Sequence, residues 1–243
     1  MKSFFIYLFM VITTVIVFTS ISNAKDWDFR FGLQYWRPDW SYEKDIYEYQ
    51  ADTSNVYGPA GYIGYKNWGF GVNYFTGNFD VDVDFDVSSK KREDLDIYVT
   101  YRFLSYFNAI LGYKLLDFEK VESFDYDLTT SVDGIAIGIA MGYPLAKTRA
   151  FVYGNAFFMP SLSGEESWKP AYSGLPSLTY DVDAKGYNAE LGLGYLWAMM
   201  EDFSLSFKGG YRLQRFKYEY GSDFVLDADE KYDGLKFEVS AIW

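Results

Sequence analysis

The chain has 243 residues, with 34 acidic against 22 basic side chains for a net charge of −12, and it contains no histidine and no cysteine. The acidic balance excludes nucleic-acid binding, which needs a basic footprint. The missing cysteines exclude disulfides and thiolate metal sites, and the missing histidines remove the usual general base and a common metal ligand.

Residues 1–24 read as a signal peptide. Lys2 supplies the positive start, Phe4 to Phe18 is apolar except for Thr13 and Thr14, and Ser22 and Ala24 complete an A-x-A-like cleavage pattern. A membrane-anchor helix is the competing reading, but the stretch is short for a span and Lys25-Asp26 comes next without a positive flank. Residues 25–243 are then one folded domain. No segment after Ala24 has 18 consecutive apolar residues, which leaves no helical span.

Beyond Ala24 the chain alternates with period two, placing one residue set on each face of a strand. Trp27, Phe29, Phe31, Leu33 and Tyr35 alternate with Asp28, Arg30, Gly32 and Gln34. Residues 57–66 contain Ile63 and Tyr65 on a strand of undecided facing, and residues 68–79 start with Trp68, Phe70, Val72 and Tyr74 outward before an expected bulge near Phe75. Leu95 to Phe103 alternates cleanly, and residues 107–117 set Ala109, Leu111, Tyr113 and Leu115 opposite Asn108 and Lys114. Ile135, Ile137, Ile139 and Met141 alternate with small residues, and residues 150–159 are a strand without assigned faces. Tyr187 to Tyr195, Phe203 to Leu213 and Gly234 to Trp243 complete the set.

Aromatic residues are 22% of the chain. That abundance suits a barrel wall with aromatic girdles at two membrane interfaces. Short connections (Lys66-Asn67, Leu104 to Tyr106, Pro144 to Arg149, Trp197 to Asp202) alternate with long polar ones (37–56, 77–93, 117–131, 160–178, 217–231). The expected fold is therefore all-β, an antiparallel transmembrane β-barrel of about ten strands. Eight or twelve strands also fit, because segment 79–87 is either a strand extension or a separate hairpin.

Alternating strands behind a signal peptide, closing on a strand with an aromatic terminal residue, resemble the small outer-membrane β-barrel proteins of Gram-negative bacteria. The resemblance is architectural and singles out no family. It implies localisation in the bacterial outer membrane, contact with outer-membrane lipid and lipopolysaccharide, and a last strand read by the barrel assembly machinery through Leu235, Phe237, Val239, Ala241 and Trp243. Barrel enzymes of this kind, the ten-stranded omptin proteases among them, depend on a histidine that this chain lacks.

The inward rows carry Asp28, Arg30, Asp96, Arg102, Lys114, Glu190, Lys208, Arg212, Lys236 and Glu238. They either line a solute pathway or pair across a narrow lumen and close it; mixed signs on neighbouring strands favour pairing. Asp80, Asp82, Asp84 and Asp86 would share one face of an extended strand, as part of a calcium site or as a solvated surface. Ser88 to Asp94 reads as a hairpin tip, with Lys90, Lys91 and Arg92 available to lipopolysaccharide phosphates. The functional expectation is a non-enzymatic surface protein, structural or binding an extracellular ligand through its loops, without cofactor or metal. A small porin-like channel is the alternative, and a histidine-free enzyme the third reading. Arg or Lys at Leu191, Ile137 or Phe237 should damage the barrel more than the same charge at Gly194 or Ser206, provided the lumen has space.

Overall fold

The alternating segments form antiparallel strands in a computed structural model that describes residues 26–243, except for 45–46, 52–53, 84–85, 122–125, 171–175 and 221–226. The signal-peptide reading of residues 1–24 lies outside the described residues. The strands are β1 (Trp27–Lys44), β2 (Tyr47–Ala51), β3 (Asn55–Tyr65), β4 (Trp68–Val83), β5 (Asp86–Leu104) and β6 (Phe107–Val121), then β7 (Tyr126–Pro144), β8 (Ala150–Pro170), β9 (Leu178–Met200), β10 (Phe203–Tyr220) and β11 (Ala228–Ile242).

Each strand pairs with its chain neighbour, and β1 closes the sheet on β11 from Arg30↔Ile242 to Lys44↔Ala228. β1 also pairs with β3 along its lower part and with β2 along its upper part, so β2 and β3 together make one stave. The result is a closed up-and-down barrel of ten staves. Closure pairs every edge, which is the condition for crossing hydrocarbon. The last residue takes part: Phe29 and Trp243 exchange both backbone hydrogen bonds, at 3.2 and 3.0 Å.

The four short turns lie at one end with the described N-terminus and Trp243. Two of them place a lysine at positive φ, Lys66 and Lys147. Above this end runs the exposed apolar belt: Leu33, Phe70, Val99, Leu111, Ile137, Leu191, Leu193, Phe237 and Val239 all face outward. Aromatic clusters bound it below, including Trp27–Tyr65, Trp68–Tyr101, Tyr106–Tyr143 and Phe203–Trp243. Tyrosines bound it above, with Tyr35, Tyr113 and Tyr211 donating their hydroxyls to Asn55, Asp133 and Asp233 on neighbouring strands. On β1 this belt spans 27–36, the length a tilted strand needs to cross hydrocarbon. Leu191 is 62% exposed in its middle. Leu191→Arg is expected to cost about 2–4 kcal/mol, read by urea titration of the refolded barrel in lipid; a loss near zero would remove Leu191 from the hydrocarbon.

Above the tyrosines the chain departs from expectation. Among the described residues the five long connections are mostly strand: β1, β4, β5, β8, β9 and β10 continue well past the belt, so the described residues of 79–87 are extensions of β4 and β5 that lengthen the wall. The apolar phase also inverts there. Outward positions become Arg37, Asp39, Ser41 and Glu43 while Trp36 and Trp40 turn inward and are buried. A wall standing in water must put its apolar face inside, whereas a wall in lipid puts it outside.

Two further expectations change. β4 pairs with β5 in one unbroken register from Trp68↔Tyr101 to Val83↔Asp86, so there is no bulge at Phe75. Phe75 simply occupies an inward position of the inverted pattern. The bulge is on β8 between Met159 and Leu162, where Pro160 has no N–H to give to a ladder. It moves the inward row from Tyr153, Phe157 and Met159 to Leu162 and Glu166. The Asp80–Asp86 run is not one extended strand either, because β4 ends at Val83 and β5 begins opposite it at Asp86. The side chains of 80–90 lie outside the described residues.

Candidate functional site

The inward rows build two storeys of different chemistry. The upper storey is a solid core. Trp36, Phe75, Phe79, Phe118, Phe216, Tyr218 and Tyr232 are all buried in it, from five different staves. Neighbouring rings meet at 5.5 Å for Phe79–Tyr232 and 6.1 Å for Trp36–Tyr232. Between them lies Arg92, 0% exposed, its guanidinium 3.8 Å from the centre of the Tyr232 ring. Arg92 donates from Nη2 to Asp94 and Gln214, both at 2.6 Å. Arg92 is thus no surface cation at a hairpin tip; only Lys91 of that group is described at the surface, paired with Glu93 at 2.8 Å.

Burial would push the Asp94 carboxyl up, but the charges of Arg92 and Lys114 outweigh it and hold Asp94 down at about 2. Higher still, Glu230 accepts from Trp40 Nε1 at 2.8 Å and from the Tyr218 hydroxyl at 2.9 Å. Glu166 accepts from Thr130 and Tyr220.

The lower storey, within the belt, is a polar cavity of about 480 Å³. It shares Arg30, Gly142, Phe151, Lys208 and Ser240 with a second space of about 520 Å³ at the short-turn mouth, bounded by Asp28, Arg149 and Ile242. The ten inward charges expected from the sequence gather here and on the floor of the core. Asp28 accepts from Arg30 Nε at 2.9 Å near the mouth. Glu238 pairs with Lys208 at 2.8 Å and Glu190 with Lys236 at 2.9 Å. Lys114 bridges Asp96 at 2.9 Å and Asp94 at 3.3 Å. Arg212 is buried against the Trp36 and Phe75 rings, 4.6 and 4.9 Å from their centres. Arg102 lines the cavity and is exposed.

Most of these charges therefore pair, as the mixed signs suggest, and the storey above them is closed by rings and Arg92 rather than by salt bridges alone. Space beside several inward glycines is taken, though not beside Gly142. A Cβ on Gly194 would lie 2.1 Å from Phe151 Cζ, and Ser206 is 1% exposed. A side chain at Gly194 would have to displace the Phe151 ring, whereas Ser206 borders the space at the short-turn mouth.

On the last strand, Leu235, Phe237 and Val239 are exposed on the outer face, Ala241 and Trp243 are half-buried, and Trp243 meets Phe203. Sequence reasoning places Gln214 on an inward row but misses the inward placing of Arg92, Asp94, Glu166 and Glu230. These four lie in or beside segments whose polarity reads as external loop, where alternation of opposite phase is the available signal. Among the described residues no group of three or more acidic side chains is placed to hold a metal ion.

No protein-family model matches the chain, and no curated protein matches it. Solved structures do. The outer membrane protease OmpT from Escherichia coli superposes with a TM-score of 0.59 at 8% identity, covering 91% of this chain and 97% of that one. The β domain of the Bordetella autotransporter BrkA gives 0.48 at 11% identity, covering 90% and 99%. Neisserial surface protein A gives 0.36 at 12% identity, covering 85% and 95%. The likeness is one of fold: the chain is an outer-membrane-type β-barrel.

Proposed function

We propose that the chain is an integral, non-enzymatic barrel of the Gram-negative outer membrane, delivered by cleavage of residues 1–24, that holds up a rigid extracellular pillar for structural or surface-binding use. The observation that carries this reading is the upper storey: the strands continue beyond the lipid belt and their inward faces pack solid. A wall built to pass solutes gains nothing from burying Trp36, Phe79, Phe118 and Tyr232 across its path. Burying Arg92 with Asp94 beside them makes the plug specific as well as dense.

The outer surface of the pillar carries the contacts a partner would meet. Asp39, Glu43, Asp183 and Glu219 stand there with Arg37, Lys185, Arg215 and Lys231, partly cross-linked by Lys185–Glu219 at 3.0 Å and Lys231–Glu43 at 2.7 Å. Arg37 stands one pleat above Tyr35 and Lys185 one pleat above the exposed Tyr187, heights at which lipopolysaccharide phosphates would be met. The exposed row of Leu235, Phe237 and Val239 suits recognition by the barrel assembly machinery. The buried carboxylates Asp94, Glu166, Glu190, Glu230 and Glu238 are engaged by cations or donors inside the wall. Such engagement favours a structural use over acid–base catalysis at the outer mouth.

The test is conductance across a planar lipid bilayer by refolded residues 25–243, with the unheated-versus-heated gel shift confirming folding. Folded protein is expected to give no discrete steps. Reproducible steps would establish an open path and put the diffusion-channel reading in its place.

A further inference from the structure

The ceiling of the lower cavity has polar groups that the protein does not satisfy. Arg212 is 2% exposed, and its Nε and Nη2 have no hydrogen-bond partner in the protein. Gln34 Oε1, Asn155 Oδ1 and Asn188 Oδ1 are likewise buried without a partner. All four residues line the same 480 Å³ cavity. A buried donor or acceptor left unmade costs about 1–3 kcal/mol, more when charged, so five such atoms on four residues lining one cavity point to something that meets them.

The charge balance points to its sign. The cavity wall holds five cations, Arg30, Arg102, Lys208, Arg212 and Lys236, against three carboxylates. Each carboxylate is taken: Asp96 by Lys114, Glu190 by Lys236 and Glu238 by Lys208. Arg30 is taken by Asp28. Among the described residues, no carboxylate lies within ion-pair distance of Arg212 at the ceiling or of Arg102. The Trp36 and Phe75 rings lie 4.6 and 4.9 Å from the Arg212 guanidinium carbon and take up none of its N–H donors in hydrogen bonds.

We infer that the lower cavity binds a small solute bearing an oxyanion, carboxylate or phosphate, that enters from the short-turn end. Arg212 is the anchor for the oxyanion, as a fixed guanidinium fork is suited to be. Gln34, Asn155 and Asn188 offer acceptor oxygens to hydroxyl or amine groups on the same solute. The cavity volume falls within the ~300–1,000 Å³ typical of small-molecule sites. Because the upper storey is closed, the solute leaves by the way it came: the site retains, and does not transport.

The experiment titrates refolded residues 25–243 in detergent micelles with inorganic phosphate and, separately, with tartrate, following heat and tryptophan fluorescence. Trp36, packed on Arg212, is the local reporter. Saturable binding of either anion is expected. Phosphate alone would assign a phosphorylated solute, tartrate alone a hydroxy acid, and both the shared oxyanion chemistry. Arg212→Gln should weaken binding roughly ten- to a hundredfold. Arg102→Gln, at an exposed position of the cavity wall, should weaken it by a smaller factor, and serves if Arg212→Gln fails to fold. The proposal is overturned if neither anion binds the folded barrel, ordered water then sufficing for the ceiling. It is also overturned if both variants bind as tightly as the parent.

Discussion

Arg92→Met should lower the folding stability of the barrel by about 3–5 kcal/mol, the range seen when one partner of a buried ion pair is removed. Asp94, 1% exposed, would lose the 3.1 and 2.6 Å bonds from Arg92 and keep only Lys114 at 3.3 Å. Gln214 would lose its donor, and the Tyr232, Trp36 and Phe118 rings a cation. Methionine fills much of the volume, so the loss reads mainly the charge.

Acid separates charge from packing. Asp94 titrates at about 2 in the folded chain against an ordinary 3.8. Its contribution is therefore complete above about pH 4 and drains away as pH falls towards about 2. In Arg92→Met the larger depressing charge is gone and Lys114 remains, so Asp94 takes up its proton at higher pH, and the penalty of burying it with a weakened partner is relieved. The gap between parent and variant should narrow below about pH 4 in urea titrations followed by the gel shift. A gap that stays constant with pH would assign the loss to packing alone.

Trp36→Ala should cost a similar amount, about 3–5 kcal/mol, through transfer and cavity contributions together. Trp36 is fully buried where the two storeys meet, touching Phe75 and Tyr232 and receiving Arg92 and Arg212 on its ring. Its loss should join new space to the lower cavity. Conductance should nonetheless stay silent, because Phe79, Phe118, Tyr232 and Arg92 still cross the path above it. Urea titration and bilayer recording on the same preparation check both halves. Discrete steps in this variant would show that one indole, rather than a whole storey, closes the barrel.

The membrane-embedded part was legible because lipid and lumen demand opposite surfaces from adjacent residues. Leu33 and Gln34, or Leu191 and Glu190, declare their faces by polarity alone. The four short turns and a count of about ten strands, with eight or twelve still open, came from the spacing of such segments. The pillar was not legible in the same way. Polar, acidic residues at Arg37, Asp39 and Glu43 look like loop when the lipid pattern is the template, yet they are the outer face of a strand whose inner face is Trp36 and Trp40. The bulge was misplaced for the same reason: Phe75 breaks the lipid phase without breaking the strand.

The sequence by itself determined the barrel, its belt, the end at which the short turns lie, and which ionisable residues point inward within the belt, because period two in a closed sheet fixes the face of each residue. Tertiary structure decided which of those charges meet. Arg92 reaches Gln214 across 122 positions of chain, Lys236 reaches Glu190 across 46, and Arg212 is left with rings for company. Pairing across a lumen depends on barrel width, stagger and the heights of side chains on distant staves. A residue's own strand carries none of that information, which is why a sealed upper storey and an unsatisfied lower ceiling emerge only when the sheet closes.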